Sequence, residues 1–307
     1  MSKTLSAAIV LFAIGILPAA AQNGRSFVSA HGLDTNACTL AAPCRTFAAA
    51  FAATNASGEI DVLDTAGYGP LTITKAISII NDGSIASVLV PSGGNGITIN
   101  AGPNDAVSLR GLTIEGAGVG ATGIIFNTGK SLTVENCVIR HMTSDGMAFN
   151  PAASNSFSIS NSLVADNGFD GIRVQPTGTN SAVTAVFNRV EVNNNANDGI
   201  FLNGSNFTGT INATVSESIA ASNGGVGFRS HTVTGQITTL MVFHSSAINN
   251  SLGLEASGTG AILRVRQSMV TGNASGWAAS GVLQSYGDNS IDGNASNELA
   301  PPSVGMK

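Results

Sequence analysis

Charged residues are scarce in this sequence. Asp, Glu, Lys and Arg make up only 10% of its 307 residues, against about 25% in a typical soluble domain. Aromatic residues are also few, at 5%, so there is little bulk to fill a wide globular core. The net charge is −5 at pH 7, whereas a nucleic-acid-binding protein needs a basic surface. We therefore expect no nucleic-acid partner.

Long hydrophobic runs are missing too, with one exception near the N-terminus. Lys3 precedes an apolar run over residues 7–17, and three Ala follow at 19–21. The run is too short for a membrane-spanning helix, which needs about 20 residues, and this arrangement is typical of a signal peptide. We predict a signal peptide over residues 1–21, export to the periplasm or the extracellular space, and no membrane span after cleavage.

Cysteine is limited to three residues. Cys38 and Cys44 flank a short polar segment, and an exported protein experiences an oxidising environment, so a Cys38–Cys44 disulfide is expected. Two reduced thiols are the alternative. Cys137 lies in a strand-like stretch and is expected to be a small packed side chain.

Glycine, by contrast, is abundant and periodic. Of the 37 Gly residues, nine recur in steps of 23 to 28 residues, each followed by an apolar residue. These marker glycines are Gly69, Gly96, Gly123, Gly146, Gly171, Gly199, Gly227, Gly253 and Gly276. Between them lie short alternating stretches of Val, Ile, Thr and Ser, which is the pattern of β-strands. A strand-rich unit repeated at this length predicts a solenoid.

Two apolar columns emerge when the units are aligned on the marker glycines. The first comprises Ile97, Ile124, Met147, Ile172, Ile200, Phe228, Leu254 and Trp277. The second comprises Leu109, Val134, Ile159, Val186, Val215, Phe243, Val265 and Tyr286. Alternation predicts that both columns point inward.

Asparagine recurs near both columns, at positions where strands are expected to turn. We predict one amide ladder of Asn100, Asn127 and Asn150, and a second of Asn136, Asn161 and Asn188. Stacked amides can hydrogen-bond from coil to coil.

Particular strings carry a family resemblance. FVSAHGLDTN followed by APCRTFAAA, and later ISNSLVADNGFDGIRV and VEVNNNANDGIFL, resemble secreted pectin-lyase-like β-helix proteins. The resemblance implies an all-β protein, a single right-handed parallel β-helix of about nine coils over residues 59–294. A cap segment over 22–58 would contain a short helix that begins after Thr46 and ends near Gly58. Residues 295–307 would form a loose polar tail.

The family resemblance does not choose an activity, because such proteins include lyases, hydrolases, esterases and epimerases as well as non-catalytic adhesins. The strings that mark polygalacturonase-like hydrolases and pectate lyases are missing from this sequence. We therefore expect a monomeric, non-catalytic protein without a cofactor, associated with polysaccharide or structural at the cell envelope. The alternatives are a lyase or epimerase acting on an acidic glycan, and an adhesive surface protein.

An acidic column is the first candidate site. Asp145, Asp170 and Asp198 each stand immediately before a marker glycine, so successive coils would stack their carboxylates. Such oxygen ligands suit Ca²⁺. The alternative is that each Asp-Gly pair makes a turn, in which the carboxylate accepts a backbone N–H.

An outward-facing group of charged and aromatic residues is the second candidate. Arg173, Phe201, Arg229 and Glu255 would lie on consecutive coils, and His244 and Arg266 on adjacent coils of another strand. Arginine pairs well with carboxylates, and a lyase also needs a base to remove a proton. These residues are the predicted contacts for an acidic sugar chain. The alternative is an ordinary surface with an Arg229–Glu255 ion pair.

Overall fold

The computed structural model describes residues 23–233 and 236–305, so the predicted signal peptide lies outside the described residues. Within them, no helix has the length and apolar character needed to cross a membrane. The chain begins with β1 (Asn23–Val28) and the only helix of the described part, α1 (Phe47–Ala53).

Strands make up almost all the remaining regular structure. The first are β2 (Thr54–Val62), β3 (Ala66–Gly67), β4 (Leu71–Ile73), β5 (Ile77–Ile80), β6 (Ala86–Leu89), β7 (Asn95–Asn100), β8 (Ala106–Arg110), β9 (Leu112–Glu115) and β10 (Thr122–Thr128). Next come β11 (Ser131–Glu135), β12 (Val138–Arg140), β13 (Met147–Phe149), β14 (Asn155–Ala165), β15 (Ile172–Val174), β16 (Thr179–Asn193), β17 (Ile200–Asn203), β18 (Thr208–Ser216) and β19 (Ile219–Ala221). The last are β20 (Val226–His231), β21 (Ile237–Phe243), β22 (Ser246–Ile248), β23 (Leu252–Ser257), β24 (Ala261–Arg266), β25 (Met269–Thr271), β26 (Ser275–Ala279), β27 (Val282–Ser285) and β28 (Ser290–Ile291).

All named strands pair in parallel, each with the equivalent strand of the next coil. Among the described residues, one sheet has nine strands, β4, β7, β10, β13, β15, β17, β20, β23 and β26, and the remaining strands form a folded sheet of nineteen. The nine-stranded sheet takes one strand from each coil. The predicted all-β parallel β-helix with one short capping helix is therefore confirmed.

Helix α1 covers the first coil. The Thr46 hydroxyl accepts a hydrogen bond from the Ala49 N–H at 3.2 Å and so caps the helix N-terminus. The Phe47 side chain is fully buried, and Phe51 packs against the core beside it. The helix ends at Ala53, earlier than the predicted end near Gly58.

The cysteines lie at two different depths of the structure. Cys38 and Cys44 form a disulfide next to the first coil. Cys137 is buried within the coils, and this burial raises the pKa of its thiol to about 11.

The first predicted inward column is in register throughout the nine-stranded sheet. Ile97 pairs with Ile124, Ile124 with Met147, and the pairing continues along the column to Leu254 and Trp277. Side chains of this column lie in the continuous apolar core, where Trp277, on the last coil, is partly buried.

The second predicted column is wrong at three positions. Ile159 pairs with Phe187 rather than Val186, whose side chain is 46% exposed. Likewise Val242 and Ser285 occupy the positions predicted for Phe243 and Tyr286. The number of residues between the marker glycine and the nineteen-stranded sheet varies from coil to coil. Because Val186 and Phe187 are both apolar, alternation alone could not fix the register.

The Asn188 position in the second predicted ladder is wrong for the same reason. Asn188 pairs with Ser160, and its amide donates to the Ser216 hydroxyl at 2.9 Å. Arg189 instead lies beside Asn161, whose Oδ1 accepts a hydrogen bond from Arg189 Nε at 2.6 Å. Asn136, Asn161 and Arg189 all have positive φ, as expected at a tight bend between strands.

The first predicted amide ladder is formed over one step. Asn127 donates from its side chain to Asn100 Oδ1 at 2.9 Å, while the Asn150 backbone N–H donates to the Phe126 carbonyl at 2.8 Å.

A longer asparagine ladder, not predicted from the sequence, is buried at the turn that precedes the nine-stranded sheet. Neighbouring members are joined by hydrogen bonds of 2.8 to 3.1 Å from the side-chain Nδ2 of one to the Oδ1 of the next. Its members are Asn167, Asn195, Asn223, Asn250, Asn273 and Asn294. Each side-chain amide of the ladder also hydrogen-bonds to a backbone carbonyl or N–H, which is why polar side chains can stay inside this corner.

The C-terminal segment packs against the last coil and is not loose. Ser303 forms a parallel bridge with Ser285, and the Trp277 indole N–H donates to the Leu299 carbonyl at 2.7 Å. These contacts cover part of the final coil, as a solenoid requires at its ends.

Candidate functional site

The acidic column is a buried structural ladder. Asp145, Asp170 and Asp198 are at most 1% exposed. Asp145 Oδ1 accepts the backbone N–H of Asp170 at 3.3 Å, and Asp170 Oδ1 accepts that of Asp198 at 3.1 Å. Asp198 Oδ1 accepts the N–H of Val226 at 2.7 Å. One oxygen of each carboxylate therefore ties its own coil to the next.

Two arginines neutralise the outer oxygens of this column. Arg173 donates to Asp145 Oδ2 from Nε at 3.0 Å and from Nη2 at 2.5 Å. Arg229 donates to Asp198 Oδ2 from Nη1 at 3.0 Å, and its Nε lies 2.5 Å from Glu255 Oε2. The predicted sugar-binding arginines are thus already paired with carboxylates of the protein.

No arginine hydrogen-bonds to Asp170 Oδ2 in the described chain, because Phe201 occupies the place that the arginines take elsewhere; Arg173 Nε lies 3.7 Å from this oxygen. Arg173 follows Asp145 by one coil and Arg229 follows Asp198 by one coil, but the corresponding residue for Asp170 is Phe201. Within the described chain, Asp170 Oδ2 is buried without a hydrogen-bond partner. Burial, and then the neighbouring charges of Asp198 and Asp145, raise the pKa of Asp170 to about 7.

Phe201 is not an open platform for a sugar ring. Its side chain is 8% exposed, and the Arg229 guanidinium lies 4.8 Å from the ring centroid. His231 follows on the same coil as Arg229, and its Nδ1 lies 2.8 Å from the Ser257 hydroxyl. The structure thus brings Arg173, Phe201, Arg229 and Glu255 together as predicted, in a packed and internally compensated cluster.

His244 and Arg266 lie elsewhere, on the nineteen-stranded sheet. They are on adjacent coils, where the His244 N–H donates to the Arg266 carbonyl at 3.0 Å. The Arg266 side chain pairs with Asp288 at 3.3 Å. Because the other predicted contacts are on the nine-stranded sheet, these two residues do not complete that cluster.

A metal site does not emerge from the acidic column. Across residues 23–233 and 236–305, no group of three or more His, Cys, Asp or Glu side chains is arranged to hold a metal ion. Arg173 occupies the position opposite Asp145 that a cation would take.

A shallow groove that was not predicted runs beside the buried asparagine ladder. We call it the turn groove. Two adjoining clefts, of about 700 Å³ and about 650 Å³, make it up and meet near Asn223 and Gly224. Its floor carries small residues, Gly168, Ala196, Gly224, Ser251, Ala274 and Ala295, and its rim carries His141, Asp166, Asn194, Ser222 and Asn249.

The rim residues share an unusual backbone conformation. His141, Asp166, Asn194, Ser222 and Asn249 all have φ between 55° and 59°. This left-handed conformation turns the chain sharply after each short strand and places one polar side chain per coil along the groove. The sequence signal that could have revealed the groove is an Asn followed by a small residue, as in Asn-Gly, Asn-Ala and Asn-Ser, repeated once per coil.

Charge in the turn groove is confined to one end. Glu115 accepts hydrogen bonds from Arg140 Nε and His141 Nδ1, both at 2.8 Å, and His141 Nε2 lies 3.8 Å from Asp166 Oδ2. Although burial acts to raise it, the pKa of Glu115 is lowered by hydrogen bonds from the Ala117 N–H and these two side chains.

Comparison with known proteins agrees with the fold. A family model described as the right-handed beta helix region matches residues 71–240, and the chain belongs to this family. No curated protein matches the sequence.

Solved structures extend the likeness over most of the chain. The crystal structure of pectate lyase Pel9A aligns with a TM-score of 0.59 and 16% identity, covering 89% of this chain and 79% of that one. This confirms the resemblance to pectin-lyase-like β-helices at the level of the fold. The A-module of the Azotobacter vinelandii mannuronan C-5 epimerase AlgE4 aligns with a TM-score of 0.43 and 13% identity, covering 81% and 91% of the two chains. A rhamnogalacturonan lyase aligns with a TM-score of 0.31 and 11% identity, covering 87% and 73%.

Proposed function

We propose that this protein is a non-catalytic β-helix that associates with polysaccharide at the cell envelope. The observation that carries the proposal is the pairing of Arg173 and Arg229 with carboxylates of the protein itself. Pairing of these guanidinium groups leaves no unpaired cation in the cluster to bind a uronate carboxylate. The predicted signal peptide supports the location outside the cytoplasm.

The charge balance of the cluster supports the same conclusion. Two guanidinium groups face the carboxyl groups of Asp145, Asp170, Asp198 and Glu255. Even with Asp170 protonated, the carboxylates outnumber the guanidinium groups. An acidic sugar chain would therefore meet repulsion here.

The competing function is that of a lyase or epimerase on an acidic glycan. One observation favours it: a carboxyl group with a pKa of about 7 can exchange a proton at neutral pH. Asp170 is fully buried, however, so substrate would reach it only after neighbouring side chains moved aside.

A two-part experiment separates these functions. The mature chain is incubated with pectate, alginate and other acidic polysaccharides, with Ca²⁺ or a chelator, while ultraviolet absorbance reports unsaturated uronate. In parallel, affinity electrophoresis through gels containing single polysaccharides measures binding. We expect a flat absorbance trace and retardation by at least one polysaccharide.

The contradicting outcomes are distinct. A rising absorbance that disappears in an Arg173→Ala, Arg229→Ala double variant, shown by circular dichroism to be folded, would establish a lyase at this cluster. No retardation in any gel would remove the polysaccharide from the proposal and favour a purely structural role. The polysaccharide-free gel is the control for nonspecific changes in mobility.

A further inference from the structure

We propose that the turn groove binds a linear, uncharged polysaccharide whose chain runs across successive coils. This inference rests on the proposed polysaccharide association and gives it a location and a ligand class. The groove lies at the turn before the nine-stranded sheet, so that along each coil its residues precede the acidic column and the positions of Arg173 and Arg229.

The direction and repeat of the groove suit a polymer. Each coil adds one rim residue and one small floor residue, and parallel strands are spaced by about 4.8 Å. This spacing is close to the length that one sugar residue adds to an extended chain. A linear polysaccharide could therefore make the same contact on each coil from Asp166 to Asn249.

The floor allows close approach by a flat ring. Ala196, Ala274 and Ala295 are exposed, and their methyl groups present little side-chain volume above the backbone. At Gly168, even a Cβ would lie 2.5 Å from the Thr143 carbonyl oxygen, so the small floor is enforced by the packing of adjacent coils.

The polar groups of the groove are those that bind hydroxyls. Beyond Asp166 the rim and floor carry amides, hydroxyls and methyl groups, and no charged residue lines the groove from Asn194 to Ala295. An acidic polymer would find no cation along this stretch, whereas sugar hydroxyls can both donate to and accept from Asn and Ser side chains.

The charged end gives the groove a polarity. Contacts of 2.8 to 3.8 Å join Glu115, Arg140, His141 and Asp166 at the N-terminal end, where Ala117 and Gly118 also line the cleft. The opposite end, near Ala295, has no such cluster. A bound chain would therefore be held in one preferred direction.

The test uses the full mature chain and substitutions that fill the groove without entering the core. Ala196→Trp and Ala274→Trp place a large ring on the exposed floor, and Ala182→Trp does so at an exposed position of β16 on the nineteen-stranded sheet. Circular dichroism and thermal unfolding check that each variant folds, and having two groove positions provides a second variant should one misfold.

Binding is measured by affinity electrophoresis and isothermal calorimetry. The neutral probes are galactomannan, xyloglucan and mixed-linkage glucan, and the acidic probes are pectate and alginate. We expect binding to a neutral probe that weakens at least tenfold in each folded groove variant and is unchanged in Ala182→Trp.

Other results overturn the inference in distinguishable ways. Neutral binding that survives both groove substitutions would remove the groove while leaving the proposed function intact. Binding restricted to pectate or alginate would overturn the ligand class. Binding to no probe would count against the proposed function as well as this inference.

Discussion

Arg173 reaches back across one coil and holds Asp145 Oδ2 with two hydrogen bonds, of 3.0 Å and 2.5 Å. Two coils later Arg229 holds Asp198 Oδ2 with one hydrogen bond of 3.0 Å, and Phe201 lies between the two arginines in register. Burial of the middle carboxyl group, Asp170, together with the neighbouring charges of Asp198 and Asp145, raises its pKa to about 7.

Removing the first arginine should destabilise the protein. In Arg173→Ala, the Asp145 carboxylate would stay buried without its cation, and losing one partner of a buried pair costs about 3 kcal/mol. Urea unfolding of the variant and the wild type at pH 7 measures the difference. Arg189→Ala is the matched control, because its pair with Glu217 is exposed and should contribute below about 1 kcal/mol. Equal effects of the two substitutions would contradict the assignment.

Stability should fall as pH rises toward neutrality because of Asp170. Its pKa is raised on folding from 3.8 to about 7, so between these values the native state keeps a proton that the unfolded state has lost. The resulting stabilisation is complete below about pH 4 and is lost as pH approaches 7. Urea unfolding between pH 4 and pH 8 measures this slope.

The Asp170→Asn variant isolates the contribution of Asp170 to the pH dependence of stability, because an amide cannot ionise. We expect a shallower slope than in the wild type and a gain of a few kcal/mol at pH 8, because each unit of pKa shift corresponds to about 1.4 kcal/mol. Glu255→Gln is a companion variant rather than a control, because burial also raises the pKa of Glu255 and its removal should flatten the slope as well. An unchanged slope in Asp170→Asn would show that Asp170 is ionised throughout this range.

The sequence predicted one sheet well for a steric reason. At Gly171, a Cβ would collide with the Val192 side chain and lie 2.9 Å from the Gly199 carbonyl oxygen. Glycine is therefore required where adjacent coils approach, and it marks the register of the nine-stranded sheet. No such column of glycines marks the nineteen-stranded sheet. Either Val186 or Phe187 could therefore be assigned to the inward position without disturbing the apolar pattern.

The candidate sites were predictable as residues but not as interactions. Arg173 and Asp145 are 28 positions apart, and their pairing depends on how far a side chain reaches across a coil boundary. Sequence columns place Asp170 among like charges, but they do not show how deeply its carboxyl group is buried. The turn groove was missed because small residues and left-handed turns carry little apolar periodicity.

The buried asparagine ladder should be far more sensitive to substitution than exposed asparagines. In Asn223→Ala, the Asn195 backbone N–H and side-chain amide would both lose the Asn223 Oδ1 that accepts them at 3.1 and 2.9 Å. Unsatisfied buried groups of this kind cost about 1–3 kcal/mol each. Thermal or urea unfolding measures the loss, and Asn212→Ala, on an exposed strand position, should change stability by less than about 0.5 kcal/mol.

Thiol chemistry should distinguish the three cysteines by environment. Cys38 and Cys44 are joined, while the pKa of the buried Cys137 thiol is raised to about 11, and alkylation requires the thiolate. Iodoacetamide should therefore label no cysteine in the native protein at pH 8, Cys137 alone after unfolding without reductant, and all three after unfolding with reductant. Mass spectrometry of the intact chain counts the additions. Labelling of Cys137 in the folded protein would mean that the coils open at β11 and β12 far more readily than their continuous pairing and full burial allow.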